Sequence, residues 1–335
     1  MRRLKRYICL VGLLALLAAA LTGCGFSDDS VEELFTLPRM AEEYTGLTQE
    51  LETLITQGYE YASPTGGRNI QSVQMADLDG DGQQEALAFF RMSSDEKPLK
   101  IFVFKIEGDS YARYCTIESS GTAIDSVYYQ DLNGDGRREL IVGWRISAEV
   151  QTVAVYTVAR EPVALMSSGY TRFTIQDLNG DGIPSLLVLR TDADSQPVAE
   201  FYGWQEEQMG VAYRCVLSST MASVNRGSLV SGRLDADTPA LYITGVDEQG
   251  MAATDILVFR QDLGLVNLAL SGSSTGVSNA VFPYRQLLPQ DINGDGIIEM
   301  PSPDTSWTAE QTDGLVSWLC CNGDGQLSTV AKTYH

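Results

Sequence analysis

Histidine is nearly absent. The 335 residues contain one, His335, so Ser-His-Asp and Cys-His nucleophilic catalysis and His-ligated metal chemistry all lack their central group. Basic residues are scarce too: 23 Lys and Arg stand against 44 Asp and Glu, for a net charge of −21. Four of those bases, Arg2, Arg3, Lys5 and Arg6, fall in the first six residues, which leaves the rest near −25. Such a surface repels nucleic acid and anionic lipid head groups and concentrates cations. There are only six cysteines, among them Cys9 and Cys24 at the N-terminal end.

What is present begins with an address. MRRLKR is a basic n-region, and Tyr7 to Leu21 is an apolar or small run too short for a comfortable membrane span of about 20 residues. Leu21-Thr22-Gly23-Cys24 closes it and resembles the bacterial lipobox. The resemblance implies that 1–23 is a lipoprotein signal peptide and that Cys24 becomes the first mature residue. Cys24 then carries the lipid (diacylglycerol and palmitate) that anchors the protein at the extracytoplasmic face of the cell membrane. The alternative is a plain secretory signal in which Cys24 is incidental.

Residues 24–68 form a neck. Leu37, Met40, Tyr44, Leu47, Leu51, Leu54 and Ile55 recur at spacings of three and four, with Pro38 near the start and Gly58 after the end. This predicts one amphipathic helix over Pro38 to Gln57. Its apolar stripe either docks a partner or packs on the rest of the chain, and a lone helix of this length is marginal unless its stripe is covered. YASPTGGRN then reads as a loop.

From residue 69 to 335 the sequence repeats. DLDGDG at Asp77, DLNGDG at Asp131 and Asp177, and DINGDG at Asp291 are joined by a degenerate copy, RLDADT, at Arg233. The intervals are 54, 46, 56 and 58 residues, the period of a repeat architecture. A short apolar segment precedes each loop and a second follows it, as in SVYYQ and ELIVGWRI; a third and fourth lie further on, as in VAVYTVAR and PVALMSS. These runs are rich in Val, Ile, Tyr and Phe and bounded by turn residues, so they are strands. Four antiparallel strands repeated five times predict an all-β fold, a β-propeller of five four-stranded blades. In the fifth unit Pro301 and Pro303 interrupt the expected second strand, which should be an edge, bulged or partly replaced by loop. Asn322-Gly-Asp-Gly325 reads as a hairpin turn.

In D-x-[DN]-G-D-G-x-x-E, oxygen side chains stand at positions one, three, five and nine, and position seven offers a backbone carbonyl. Glycines at four and six let the chain curl round one centre. Hard oxygen donors in a flexible loop suit Ca²⁺; Zn²⁺ would call for His or Cys. The candidate ligands are Asp77, Asp79, Asp81, Gln83 and Glu85 in the first loop, and Asp131, Asn133, Asp135, Arg137 and Glu139 in the second. The third has Asp177, Asn179, Asp181 and Ile183, with Ser185 at position nine. The last has Asp291, Asn293, Asp295, Ile297 and Glu299. The loop at Arg233 keeps only Asp235 and Asp237, and an arginine in place of the first acid should exclude an ion and supply positive charge itself. An EF-hand would need Glu at position twelve, where these loops have Ala88, Val142, Val188 and Ser302. The repeats resemble instead the FG-GAP/VCBS propeller family, typified by the calcium loops of integrin α subunits, and more closely the VCBS-repeat lipoproteins exported by Gram-positive gut bacteria. That second likeness implies no particular activity.

The remaining cysteines add little. Cys115 and Cys215 occupy the fourth-strand place of separate units, too far apart for a mutual disulfide, and read as small buried hydrophobes. Cys320 and Cys321 are neighbours on a strand, so their side chains point to opposite faces. The expected function is a binding or scaffolding module for a cell-wall glycan or another exported protein. The alternative is a carboxylate-dependent glycan-cleaving enzyme, for which Glu60, Asp125 and Asp247 are acids outside the loops but form no recognisable constellation.

Overall fold

A computed structural model describes residues 43–250, 252–271, 288–303, 315–322 and 326–334. The signal segment, Cys24, the start of the expected helix at Pro38 and residues 323–325 of the Asn322 turn lie outside them. The chain divides into two compact units, Met1–Thr45 and Gly46–His335. Of the first, only the opening residues of a helix are described, and every described strand belongs to the second.

Helix α1 (Glu43–Thr56) ends where Gly58, at φ +97°, donates its N–H to Ile55 O at 3.0 Å. Leu47 and Leu54 on its stripe are buried, and Gly46 lies so close to Ser110 that any larger residue would meet the hydroxyl. The stripe from Gly46 onward therefore packs on the body of its own unit. Among the described residues no helix is long and apolar enough to cross a membrane.

The second unit is built of five antiparallel sheets, none closed on itself. The first contains β1 (Glu60–Tyr61), β2 (Val73–Ala76), β3 (Glu85–Arg91), β4 (Leu99–Glu107) and β5 (Ser110–Ser119). The second runs β6 (Ala123–Gln130), β7 (Glu139–Arg145), β8 (Gln151–Thr157) and β9 (Val163–Gly169). The third runs β10 (Arg172–Gln176), β11 (Ser185–Thr191), β12 (Pro197–Gln205) and β13 (Gln208–Val216). The fourth comes after the short helix α2 (Met221–Val224) and runs β14 (Leu229–Arg233), β15 (Pro239–Val246), β16 (Ala252–Arg260) and β17 (Gly264–Asn267), with helix α3 (Leu268–Ser271) after it. Within each sheet every strand pairs with the next in sequence, apart from β1. That strand lies within the stretch read as neck and loop, yet it pairs with Phe90 and Arg91 at the far end of β3, beside β2.

In the fifth sheet three strands fall among the described residues: β18 (Met300–Pro303), β19 (Leu315–Cys321) and β20 (Leu327–Tyr334). Of the anticipated first strand, the described part is one bridge in which Gln290 and Glu299 exchange both backbone hydrogen bonds at 3.0 Å. Alternation then turns Met300 and Ser302 toward β19 and points Pro301 and Pro303 at the opposite edge. Proline has no N–H to offer there, so the prolines leave the β19 ladder intact and stop the pairing that Gln290 began.

The second strand of each of the first four sheets is buried on both faces, which explains its near-continuous apolar run. Leu140 and Val142 of β7 face Leu87 and Phe89 of the first sheet, while Ile141 faces Leu186 and Val188 of the third. Leu187 and Leu189 join Leu241 and Ile243 of the fourth sheet, whose Ala240 and Tyr242 pack with Met300 and Cys321 of the fifth. The sheets thus stack in chain order, each sharing one apolar layer with the next.

Candidate functional site

The four Asp-Gly loops sit between first and second strands and share one geometry. At position one, Asp77, Asp131, Asp177 and Asp291 accept the N–H of the glycine at position four at 2.8, 2.6, 2.7 and 2.6 Å. Their second oxygens accept the N–H of the glycine at position six at 3.1, 2.8, 2.8 and 2.8 Å. Both glycines have φ between +74° and +87° in every copy, a region that side chains with a Cβ avoid. At position five, Asp81, Asp135, Asp181 and Asp295 each accept the N–H of position seven at 2.8 Å. Position nine closes the loop from beneath: buried Glu85, Glu139 and Glu299 accept the N–H of Leu78, Leu132 and Ile292 at 2.7, 2.8 and 3.0 Å. Ser185 makes no such bond, so the third loop lacks its floor.

Electrostatics grade the loops further. Burial pushes the Glu139 carboxyl up to about 7, and Asp135 and Asp131 add to the rise against the Leu132 N–H. Burial also raises Glu85. The N–H of Gly296 holds Asp291 below the usual carboxylate range. Where position three is asparagine, its amide nitrogen donates to the position-five carboxylate, at 3.1 Å for Asn133, 2.7 Å for Asn179 and 2.9 Å for Asn293. Coordination through the asparagine oxygen requires that amide to turn over. The donor set is otherwise oxygen throughout, which fits a hard divalent cation and not a soft one.

Among the described residues, Asp77, Asp79 and Glu85 are the acids whose oxygens come within 4.8 Å of one another as a trio. That trio holds a residue the sequence reading missed. Lys105, on β4, binds Asp79 Oδ2 and lies 3.6 Å from Glu85 Oε1 and 3.9 Å from Asp81 Oδ2. Burial would raise the Asp79 carboxyl, but the Lys105 hydrogen bond and charge prevail and hold it low. Asp79 Oδ1 is buried without a hydrogen-bond partner.

The fourth loop is a plain turn in which Asp235 Oδ1 accepts the N–H of Asp237 and Thr238 at 3.1 and 2.9 Å. Arg233 does not neutralise its own loop's acids, as the sequence suggested. Its guanidinium donates to Ala236 O at 3.1 Å and crosses to Asp295 O at 2.8 Å and Gly296 O at 3.4 Å, clamping the last loop.

The first strands of the first three sheets line a cavity of about 850 Å³. Gln71, Gln74, Tyr129, Gln130, Arg138 and Thr174 give it an amide, hydroxyl and guanidinium lining. Gln74 is buried and fixed, donating to Asn69 O and Gln71 O at 3.0 Å and accepting from Tyr129 OH at 2.6 Å. Asp77 is the one carboxylate among the lining residues described, and both its oxygens serve the loop. Of the acids set aside outside the loops, Asp125 pairs with Arg145 at 2.8 Å and Tyr170 at 3.0 Å. A second missed residue, the acid Asp255, is fully buried and accepts Ser218 N, Ser218 Oγ, Ser219 N and Asn267 Nδ2 at 2.8, 2.5, 3.0 and 2.7 Å, stapling the third sheet to the fourth.

No protein-family model matches the chain, and no curated protein matches it. Among solved structures it is similar to a hypothetical protein from Leishmania major, with 10% identity and a TM-score of 0.27 over 83% of this chain and 92% of that one. It is also similar to MPT-1, a GDP-Man-dependent mannosyltransferase from Leishmania mexicana, with 9% identity and a TM-score of 0.21 over 84% of this chain and 93% of that one. At such scores neither likeness bears on fold or activity, and the functional reading rests on the chain's own loops and cavity.

Proposed function

We propose that the chain is a calcium-stabilised five-bladed β-propeller of FG-GAP/VCBS type, anchored by lipid on Cys24 to the extracytoplasmic face of a membrane, and that it binds or scaffolds a cell-wall glycan or another exported protein. The observation that carries the reading is the shared loop geometry: four copies of one oxygen-rich curl, each between the first and second strand positions of its unit. Stacking in chain order supports the ring, since the second, third and fourth sheets each lend one face to the sheet before and one to the sheet after, as blades do. The first strands, innermost in a propeller, line the cavity where a polar ligand is held by amide and guanidinium groups.

Retention is favoured over cleavage by the lining. Carboxylate glycosidases need two acids about 5 to 9.5 Å apart, and Asp77 stands alone among the described residues of this cavity. The test offers wall glycan to the detergent-solubilised full chain with calcium or with chelator. Calcium-dependent retention without new reducing ends is expected, and it should fall in Arg138→Ala. New reducing ends would establish the glycan-cleaving alternative, and no retention of glycan or of any exported protein would remove the binding module.

A further inference from the structure

We infer that Lys105 is the built-in cation of the first loop, so that this loop folds without metal and calcium loads the loops at Asp131, Asp177 and Asp291 instead. The inference rests on the calcium reading and reverses what the ligand pattern alone would rank first, because the loop at Asp77 has the most acids.

Strand register brings the lysine to the loop. Ala86 pairs with Phe104, which sets Lys105 one step further along β4, opposite Glu85 at position nine. The same step on the other sheets falls on Thr157, Gly203, Phe259 and Cys320. Only the first sheet places a cationic side chain there, long enough to reach the middle of the curl. Its ammonium contacts Asp79 and lies within 4 Å of both Glu85 and Asp81. The Tyr114 ring stands 5.7 Å from the nitrogen on another side, a further favourable neighbour for a cation. No Lys or Arg among the described residues forms an ion pair with the acids of the loops at Asp131, Asp177 and Asp291; Arg233 reaches the last of these but binds the backbone carbonyls of Asp295 and Gly296 and leaves its carboxylates to a metal.

The composition of position three fits this division. The first loop has Asp79 where those other three have asparagine, and the extra negative charge accompanies the extra positive one. An ammonium among these carboxylates both occupies the ligand oxygens and repels a divalent ion, so it should weaken calcium at this loop by at least ~10²-fold. Asp79 Oδ1, buried and unmet, is an oxygen left for a metal once the ammonium is gone.

The test is calorimetric calcium titration of the solubilised full chain, with melting curves in chelator, for the wild type, Lys105→Gln and Lys105→Arg. Lys105→Gln should bind one more calcium ion than the wild type and melt lower in chelator, calcium restoring the loss; Lys105→Arg should do neither. If Lys105→Gln adds no ion while Asp79→Asn removes one from the wild type, the first loop holds metal beside the lysine and the inference is overturned. If no variant binds calcium yet Lys105→Gln still melts lower in chelator, the lysine is the loop's cation and the calcium reading of the other loops fails alone. If no variant binds calcium and Lys105→Gln melts like the wild type in chelator, both fail.

Discussion

Asp131→Ala separates the two roles of one carboxylate. Asp131 accepts Gly134 N–H at 2.6 Å, Asn133 N–H at 3.2 Å and Gly136 N–H at 2.8 Å, so its loss uncaps the loop whether or not metal is present. With each net hydrogen bond contributing about 0.5–1.5 kcal/mol and the loop open to water, the chelator-state cost is about 1–3 kcal/mol. Calcium adds RT ln(1 + [Ca²⁺]/Kd) to the wild type alone, about 1.4 kcal/mol at ten times Kd and about 2.7 kcal/mol at a hundred times. At about 2–4 °C per kcal/mol for a domain of this class, the wild type should gain about 3 to 11 °C more from calcium than the variant does. The assay is scanning calorimetry of both proteins in calcium and in chelator, and the informative quantity is the difference of differences, because the uncapping cost cancels. Asp291→Ala should behave alike, Asp177→Ala should lose a smaller increment because Ser185 leaves that loop without its floor, and Asp235→Ala should lower both curves equally. Equal increments lost in all four, or a wild-type curve indifferent to chelator, would refute the metal argument and leave the loops as turns.

Cys24→Ser should release the chain from the membrane or leave it unprocessed, read by fractionation and mass of the N-terminus; a normally cleaved, still anchored product would contradict the lipobox reading. Burial pushes the Cys115 and Cys215 thiols up to about 12, so roughly one in 10⁴ is thiolate at pH 8 and both should resist iodoacetamide until the chain is unfolded. Because the raised thiol pKa keeps these groups neutral, labelling in the native state should begin only as pH approaches that value; rapid labelling at pH 8 would show them open to solvent. Asp255→Ala leaves donors on Ser218, Ser219 and Asn267 unmet in the interior and should cost about 3 kcal/mol or more, some 6–12 °C, with calcium and chelator alike. An unchanged melting curve would show that water replaces the carboxylate there.

The strands and loops were legible because they are local. Apolar runs such as ELIVGWRI announce a strand covered on both faces, and Asp-Leu-Asn-Gly-Asp-Gly dictates its own hydrogen bonds within six residues. Lys105 was not legible, since it lies 26 residues from Asp79 and reaches it only through the pairing of β3 with β4. The one hint was a lysine at the end of an apolar strand where the other units place Thr157, Gly203, Phe259 or Cys320. Arg233 misled for the same reason: its sequence neighbours are Asp235 and Asp237, but its guanidinium turns to carbonyls 62 and 63 residues away. Asp255 drew no notice in the sequence because nothing local shows that Ser218 and Asn267 converge on it. Pro301 and Pro303 were expected to interrupt the second strand of the fifth unit, but β18 forms there and pairs with β19, because the alternation set by the Gln290–Glu299 bridge turns both prolines to the other edge.

The stacking of sheets in chain order bears on how the molecule is made. Every described apolar layer joins a sheet to the one synthesised just before it, so none of these layers waits for a segment from the far end of the chain. A chain emerging N-terminus first can finish one sheet, expose a single apolar face, and have that face covered by the next forty to sixty residues, on the order of ten seconds of synthesis or less. Each new sheet covers the face its predecessor left open, and assembly proceeds like laying courses of brick.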